Sequence, residues 1–340
     1  MISIFKRYIF HKDYFYDKII SYKKVDLNEI LDKKSESYYL RRIPKKGGIR
    51  ELHCLKEDSE LRILQEKLRA NFLIKIPIPD YVYGFVKGSS YKNFLQPHTE
   101  KKYYLRVDIK SFFDSISKDL FTDVLGNYFK VDQSDKLELL SDLFEIVTLN
   151  DKIPQGAITS PSVSNIVFRP LDIRINKYCN KFDVSYTRYA DDLLFSSNNQ
   201  FLHNKFFLKK IAHILYSNGF KINHTKVRKT TDYLSLNGFV VGRTLTLSRK
   251  RLYDITKVLF ILKRNSSVTI EEILRLLNSE KYFYRKKHDS TYFNKKIDII
   301  NFLGGYYSFI KSWSYLDNEK YYNIINRIEE SMVKLEEMNE

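Results

Sequence analysis

Three aspartates stand where the chain changes direction. Asp108 closes the run Tyr103-Tyr104-Leu105-Arg106-Val107-Asp108-Ile109, which reads as a strand ending on an acid. Asp191 and Asp192 sit in Ala190-Asp191-Asp192, between the strand-like residues 184–189 and 193–197, so the pattern is a hairpin with two carboxylates at its turn. Carboxylates on adjacent strand ends can converge on divalent cations, and two Mg²⁺ ions held this way serve phosphoryl transfer. One ion lowers the pKa of an attacking hydroxyl, and both stabilise the charged transition state. Without cations, carboxylates so close repel. Taken alone, Ala-Asp-Asp is also an ordinary turn, because aspartate favours turns.

The elements that must position these acids follow from periodicity. Residues 59–72, 118–129 and 134–148 show helical spacing, and a helix is expected to begin near Pro161 with Ser160 as its N-cap. Residues 202–217 read as a helix closed by Asn218-Gly219. A second hairpin is expected from residues 234–241 and 244–247, with Gly242 at its turn. Beyond residue 248 the pattern is mostly helical. The last helix carries Tyr321, Ile324, Ile325, Ile328, Met332 and Leu335 on one stripe, which is a core pattern. Arg41-Arg42-Ile43-Pro44-Lys45-Lys46-Gly47-Gly48-Ile49-Arg50 reads as a basic hairpin or loop.

Composition narrows the function classes. The 340 residues carry 58 Lys and Arg against 41 Asp and Glu, a net charge of +17, which points to an acidic partner such as nucleic acid. A hydrophobic share of 43% with 15% aromatics excludes a disordered chain. Two cysteines, Cys54 and Cys179, cannot build a disulfide framework, and no CxxC suggests a zinc site, so both read as buried thiols. Lys6, Arg7, His11 and Lys12 interrupt the apolar start, so no signal peptide is expected, and no run approaches the ~18 apolar residues of a membrane helix. Residues 1–50 hold 13 basic against 6 acidic side chains, and residues 249–288 hold 11 against 4.

The context of the aspartates is more specific than the aspartates. Asp108-Ile109-Lys110-Ser111-Phe112-Phe113 is followed by Pro154-Gln155-Gly156-Ala157-Ile158-Thr159-Ser160-Pro161, then Tyr189-Ala190-Asp191-Asp192, then Gly219-Phe220-Lys221-Ile222-Asn223-His224-Thr225-Lys226. These four blocks, in this order, resemble the palm motifs of reverse transcriptases. The likeness is to the bacterial retron type and related antiviral-defence enzymes, over about residues 40–245. It implies an α+β right-hand polymerase fold with an antiparallel palm sheet and a helical, basic thumb. Residues 1–100 would form an N-terminal extension and fingers, 101–235 the palm with a fingers-palm insert around 115–160, and 236–340 the primer grip and thumb.

The same resemblance implies residue roles. Asp108, Asp191 and Asp192 are the expected catalytic acids, and with the Ile109 carbonyl the expected metal ligands, for two Mg²⁺ ions that Mn²⁺ could replace. Phe113 matches a steric gate that excludes a ribose 2′-hydroxyl, although alone it reads equally as a core aromatic. Gln155 and Gly156 match a loop beside the nucleotide. Lys226 matches a lysine near the triphosphate, and without the family it is a solvated surface lysine. Lys45 and Arg50 fall on the fingers hairpin, where cations clamp a triphosphate. Gly238, Arg249, Lys250, Arg251 and Lys257 fall on the primer grip and thumb as nucleic-acid contacts, with Tyr253, Phe260, Tyr282, Phe283 and Tyr284 interleaved. His98 is either an RNA contact or a structural histidine.

The expected activity is RNA-directed DNA synthesis, copying a noncoding RNA into cDNA from dNTPs, in antiphage defence in a bacterial cytoplasm. The expected partners are that RNA, an RNA–DNA duplex and dNTPs, with a toxin or effector protein and a second copy of the chain as further candidates and no membrane. Two departures keep alternatives open. Retron enzymes usually carry Asn-Ala-x-x-His where this chain has Phe94-Leu95-Gln96-Pro97-His98, and Val-Thr-Gly where it has Leu236-Asn237-Gly238. A defence-associated relative making repetitive or unusually templated DNA, an RNA-templated RNA polymerase, and a nucleic-acid-binding scaffold with a vestigial palm are the rivals.

Overall fold

In a computed structural model, residues 8–45, 48–265, 268–279, 293–312 and 319–338 are described. The chain divides into two compact units, Met1–Leu234 with Val241–Leu245, and Ser235–Val240 with Thr246–Glu340.

The first unit opens on a helical turn, Lys12–Tyr14, running into a π-helical segment, Phe15–Ile20, and then helix α1, Lys24–Asp32. Strands β1, Tyr38–Lys45, and β2, Gly48–Leu55, pair antiparallel from Tyr38↔Leu55 to Lys45↔Gly48. The basic segment is therefore a hairpin; Lys46 and Gly47 lie outside the described residues. Helix α2, Glu60–Asn71, buries Leu61, Leu64 and Leu68, the i, i+3, i+7 face its sequence advertises. The short helix α3, Tyr91–Leu95, is held at its start by Ser90, whose hydroxyl accepts from the Asn93 N–H.

Strand β3, Tyr103–Lys110, leads through a turn to α4, Lys118–Leu125, and α5, Gln133–Val147. Helix α6, Ser160–Asn180, follows. The expected cap moves by one residue, because Thr159 is the N-cap and Ser160 is helical. The Ser160 hydroxyl instead donates to the Pro154 carbonyl at 2.7 Å, which ties the preceding loop to the helix start. Strands β4, Ser185–Tyr189, and β5, Asp192–Ser197, form the expected hairpin. The helix expected over 202–217 starts later, as α7, Lys205–Tyr216, because Asn204 caps it by accepting from the Phe206 N–H. Two short strands follow, β6, Lys221–Ile222, and β7, Arg228–Thr231.

These strands form one five-stranded sheet in the order β4-β5-β3-β6, with β7 also on β3. Every pairing is antiparallel. The N-terminal half of β3 lies between β5 and β7, and its last two residues pair with β6. Period-two alternation puts Leu105, Val107 and Ile109 into the core and leaves Arg106 and Asp108 on the opposite face. Helices α2, α5 and α6 fill the core with Leu64, Phe144 and Phe168 among its fully buried residues.

A small sheet of order β10-β9-β8 follows, made of β8, Leu234–Leu236, β9, Phe239–Val241, and β10, Leu245–Leu247. Residues 234–241, expected as one strand, are split by a turn at Asn237 and Gly238, whose φ values are 49° and 86°. Asn-Gly with both residues left-handed is the favoured two-residue hairpin turn, so the dipeptide itself was the signal. The second unit continues with α8, Arg249–Arg264, α9, Ile270–Ser279, α10, Lys296–Lys311, and α11, Glu319–Glu337. The stripe on α11 is buried at Tyr321, Ile324, Ile325, Ile328 and Leu335, and half-buried at Met332. Tyr282, Phe283 and Tyr284 lie outside the described residues. Cys179 is buried and Cys54 half-buried. Among the described residues, no helix is long and apolar enough to cross a membrane.

Candidate active site

The hairpin and the central strand bring the three aspartates together. In the β3–β5 register Asp108 lies directly opposite Asp192. Asp191 sits in the two-residue turn between Tyr189 and Asp192, where Ala190 takes a left-handed φ of 56°. The Ile109 N–H donates to the Asp191 carbonyl at 2.9 Å, and the Asn223 N–H to the Asp108 carbonyl at 2.8 Å. The end of β3, the acidic turn and the segment after β6 are thus fastened to one another by backbone bonds.

Each carboxylate meets a different cation. Arg106, two residues before Asp108 on the same face of β3, takes Asp192 in a forked pair, with bonds of 2.7 to 3.0 Å to both oxygens. Lys226 Nζ lies 2.9 Å from Asp108 Oδ2. Burial pushes the Asp191 carboxyl above the usual aspartate range. The Asp108 charge adds to that rise, while Lys226 and Arg50 act against it. Arg50, exposed on β2 opposite Ile43, therefore acts on Asp191 across the first unit.

Asp192, expected as a catalytic acid and metal ligand beside Asp108 and Asp191, has both oxygens bonded by Arg106. Among the described residues there is no cluster of three or more metal-ligating side chains. Asp108 and Asp191 are the two acids at the end of β3 that Arg106 does not hold. Two carboxylates suit a hard cation such as Mg²⁺, which commonly takes one or two protein carboxylates and completes its shell with water and substrate phosphates. A buried Asp191 beside a second carboxylate is also the arrangement that added positive charge relieves.

Beneath the turn lies a network that sequence reasoning missed. Arg188 and Asp172 form a forked ion pair at 2.7 and 2.8 Å, with both side chains fully buried. Arg188 also donates to the Ala190 carbonyl at 3.1 Å and to Asn165 Oδ1 at 3.0 Å. Asn165 Nδ2 in turn donates to the Gly84 carbonyl at 2.8 Å. The Arg188 guanidinium sits over the Phe168 ring, 4.8 Å from its centroid. Gly84 presses on the turn so closely that a Cβ there would fall 2.3 Å from the Ala190 nitrogen, so only glycine fits. The available signal was an arginine inside a strand, Ser185–Tyr189, that runs into the acidic turn, because a buried arginine needs an acid to neutralise it.

The remaining expected residues fall as follows. The Phe113 ring is half-buried, 5.4 Å from Phe112 and 6.2 Å from Phe85. The Gln155 carbonyl accepts from the His53 N–H at 2.7 Å, and a Cβ on Gly156 would meet the His53 carbonyl at 2.9 Å. The close approach at Gly156 is thus to β2. Lys45 ends β1.

His98 is fully buried, with its ring nitrogens 2.7 Å from the hydroxyls of Ser196 and Thr187. Thr187 donates to the Phe94 carbonyl, which assigns the neutral Nε2–H tautomer to His98. Its expected contact with nucleic acid is corrected: a residue without surface cannot touch RNA. Phe94 is fully buried too, so the departure from the retron pattern here concerns palm packing. In the second unit, Gly238, Lys250 and Arg251 line a cavity of about 830 Å³. Arg251 lies 4.6 Å from the Phe309 ring centroid. Arg249 is exposed on α8, and Lys257 half-buried.

A sequence model described as reverse transcriptase (RNA-dependent DNA polymerase) matches residues 43–297. The chain belongs to the reverse transcriptase family. The retron-type resemblance is borne out by similarity to the Retron Mx65 reverse transcriptase of Myxococcus xanthus, 31% identical over 228 residues, which cover 61% of this chain and 52% of that one. The Retron Ec73 reverse transcriptase of Escherichia coli is 35% identical over 164 residues, covering 45% of this chain and 51% of the relative. The chain spans about half the length of the curated relatives it matches. Among solved structures, the chain is similar to a telomerase from Candida albicans determined with a fragment of telomeric RNA, at 13% identity and a TM-score of 0.48, over 88% of this chain and 63% of that one. Divalent metal use is general in the reverse transcriptase family.

Proposed function

We propose that the chain is an RNA-directed DNA polymerase that copies a noncoding RNA into cDNA from dNTPs, in the cytoplasm of a bacterium and in a retron-like defence role. The observation that carries this reading is the convergence of Asp108 and the turn residue Asp191 at the end of β3, under the influence of both Arg50 and Lys226. Two acids that require positive charge, beside two basic side chains on separate elements, form a site for a metal-bound triphosphate. In this reading residues 1–100 supply the N-terminal extension and fingers, 101–235 the palm, and 236–340 the primer grip and thumb.

Asp108, Asp191 and the Ile109 carbonyl would hold two Mg²⁺ ions, which when bound acidify the primer hydroxyl and neutralise charge on the phosphates. The chain's own residues do the rest. The Ile109–Asp191 backbone bond fixes the two acids at one spacing. Arg106 holds Asp192 so that it stiffens the turn. Arg50 on the returning strand of the hairpin clamps the triphosphate, and Lys226, released from Asp108, gives a proton to the leaving pyrophosphate. The Phe113 ring, wedged between Phe112 and Phe85, stands where a 2′-hydroxyl would project.

The test is primer extension on an RNA template by the purified chain and its Asp191→Asn variant. The wild type is expected to incorporate dNTPs, and the variant to lose at least about 10³-fold in rate while folding normally. Extension by the variant at the wild-type rate would remove the site from the reaction. Sequencing the nucleic acid that co-purifies separates a defined RNA joined to cDNA from repetitive DNA, the product of the alternative defence enzyme.

A further inference from the structure

The residues from Leu193 through Thr231 contain no aspartate or glutamate, and they carry seven lysines and arginines. Neither basic flank recognised in the sequence includes them. Part of this charge serves the active site through Lys226. Arg228 and Lys229 lie on β7, and the other four, Lys205, Lys209, Lys210 and Lys221, lie on α7 and β6. Phe206, Lys209, His213 and Tyr216 follow one another at three- and four-residue steps along α7, with Lys210 beside Lys209, and all five are exposed. Beside them runs a groove of about 510 Å³, lined by Lys110, Lys209, His213, Tyr216, Lys221 and His224.

Three features set this face apart from an ordinary solvated surface. Lys110 and Lys221 are direct cross-strand partners at the end of the sheet, a like-charge pairing that costs stability. Among the described residues no ion pair engages Lys110, Lys205, Lys209, Lys210 or Lys221. Phe206 and Tyr216 are 63% and 70% exposed on the same helix, although its other face already buries Phe207, Ile211, Ile214 and Leu215. A surface tuned for solubility mixes both signs of charge and hides its aromatics. A membrane-binding helix spends its apolar face on lipid, and α7 has spent its own on the core.

We infer that this face of α7 and β6 binds a single-stranded segment of nucleic acid, its lysines along the phosphates and Tyr216 and Phe206 stacked on unpaired bases. Exposed aromatics among cations are the recurring means of holding unpaired strands without reading their sequence. The inference concerns binding only, so it stands or falls separately from polymerisation.

The probe is a fluorescein-labelled, unstructured oligouridylate RNA, titrated with the full chain by anisotropy at several salt concentrations. The variant joins Lys209→Gln, Lys210→Gln and Tyr216→Ser, none of which touches the acidic turn. Its affinity is expected to fall about tenfold or more, and its salt slope by about 1.4, the value for two lost phosphate contacts on a single strand. A second variant, Lys209→Arg with Lys210→Arg, is expected to bind as the wild type does, which separates loss of charge from loss of fold. Ultraviolet crosslinking of the wild type should mark Tyr216 or Phe206. Unchanged affinity and slope in the neutral variant, with crosslinks confined to other segments, would overturn the inference. So would displacement of the RNA by a poly-glutamate peptide at equal charge, since that assigns the face to an acidic protein.

Discussion

Two ion pairs serve the same turn and differ in their surroundings. In Asp172–Arg188 both side chains are fully buried, and the guanidinium is bonded on to Asn165 and Ala190. In Asp108–Lys226 the carboxylate is 5% exposed and the lysine side chain 55%. Buried charges of opposite sign cannot part without leaving one of them stranded in a medium that will not solvate it. A lysine half in water can swing away at small cost. The first pair is therefore architecture and the second an exchangeable contact, although both join one acid to one base.

The largest expected effect tests the buried pair. Arg188→Met should cost about 3–5 kcal/mol of stability, because it strands Asp172 among apolar side chains. Adding Asp172→Leu should recover part of that loss, since an apolar pair of similar volume needs no solvation. Urea unfolding of the single and double variants measures both quantities. If Arg188→Met cost no more than a surface substitution, the network would not hold the turn. The complementary variant is Lys226→Ala. Its stability should change by less than about 1 kcal/mol, while the rate of extension falls about 10²-fold as the proton donor is lost. A stability loss as large as that of Arg188→Met would erase the contrast.

The same contrast shows what was legible in the sequence. Asp108 and Asp191 could be placed because strand periodicity and turn chemistry are local, and the register that joins them needs only one sheet. The division of labour among the acids was not legible. That Arg106 takes Asp192 and Lys226 takes Asp108 depends on which side chains share a sheet face after a chain reversal of more than 80 residues. His98 shows the same limit. As a letter it is open to RNA or to the core, and only its burial against Ser196 and Thr187 decides. The Asn237-Gly238 turn, by contrast, was fully written in two letters and was overrun by the apolar residues on either side.

A smaller effect concerns the wall of the site. Phe113 packs on Phe112 and Phe85, and in the proposed reading its ring is the gate against a ribose 2′-hydroxyl. Phe113→Ala should lower the preference for dNTPs over rNTPs by about tenfold or more, read as the ratio of kcat/KM for the two substrates. It should also cost about 2 kcal/mol of stability, less than a fully buried phenylalanine would. Full selectivity in a folded variant would move the gate elsewhere and reopen the reading of an RNA-making polymerase.

The smallest effect asks whether His98 belongs with the dry pair or the wet one. Burial, with a smaller contribution from the charge of Lys101, lowers its pKa to about 3. In the unfolded chain the imidazole titrates near its ordinary value of about 6.5. Between those two values the unfolded state binds a proton that the folded state refuses. Stability contributed by the neutral ring is thus complete above pH 6.5 and is lost as the pH falls toward 3. Within that window one such proton steepens the dependence by at most about 1.4 kcal/mol per pH unit. His98→Gln removes the titrating ring, so its unfolding free energy should fall less steeply than the wild type's from pH 6.5 to 4.5, whatever constant penalty the substitution adds. Parallel curves would mean that the folded protein charges His98 freely, which only a solvent-accessible ring could do, and would return this histidine to the list of RNA contacts.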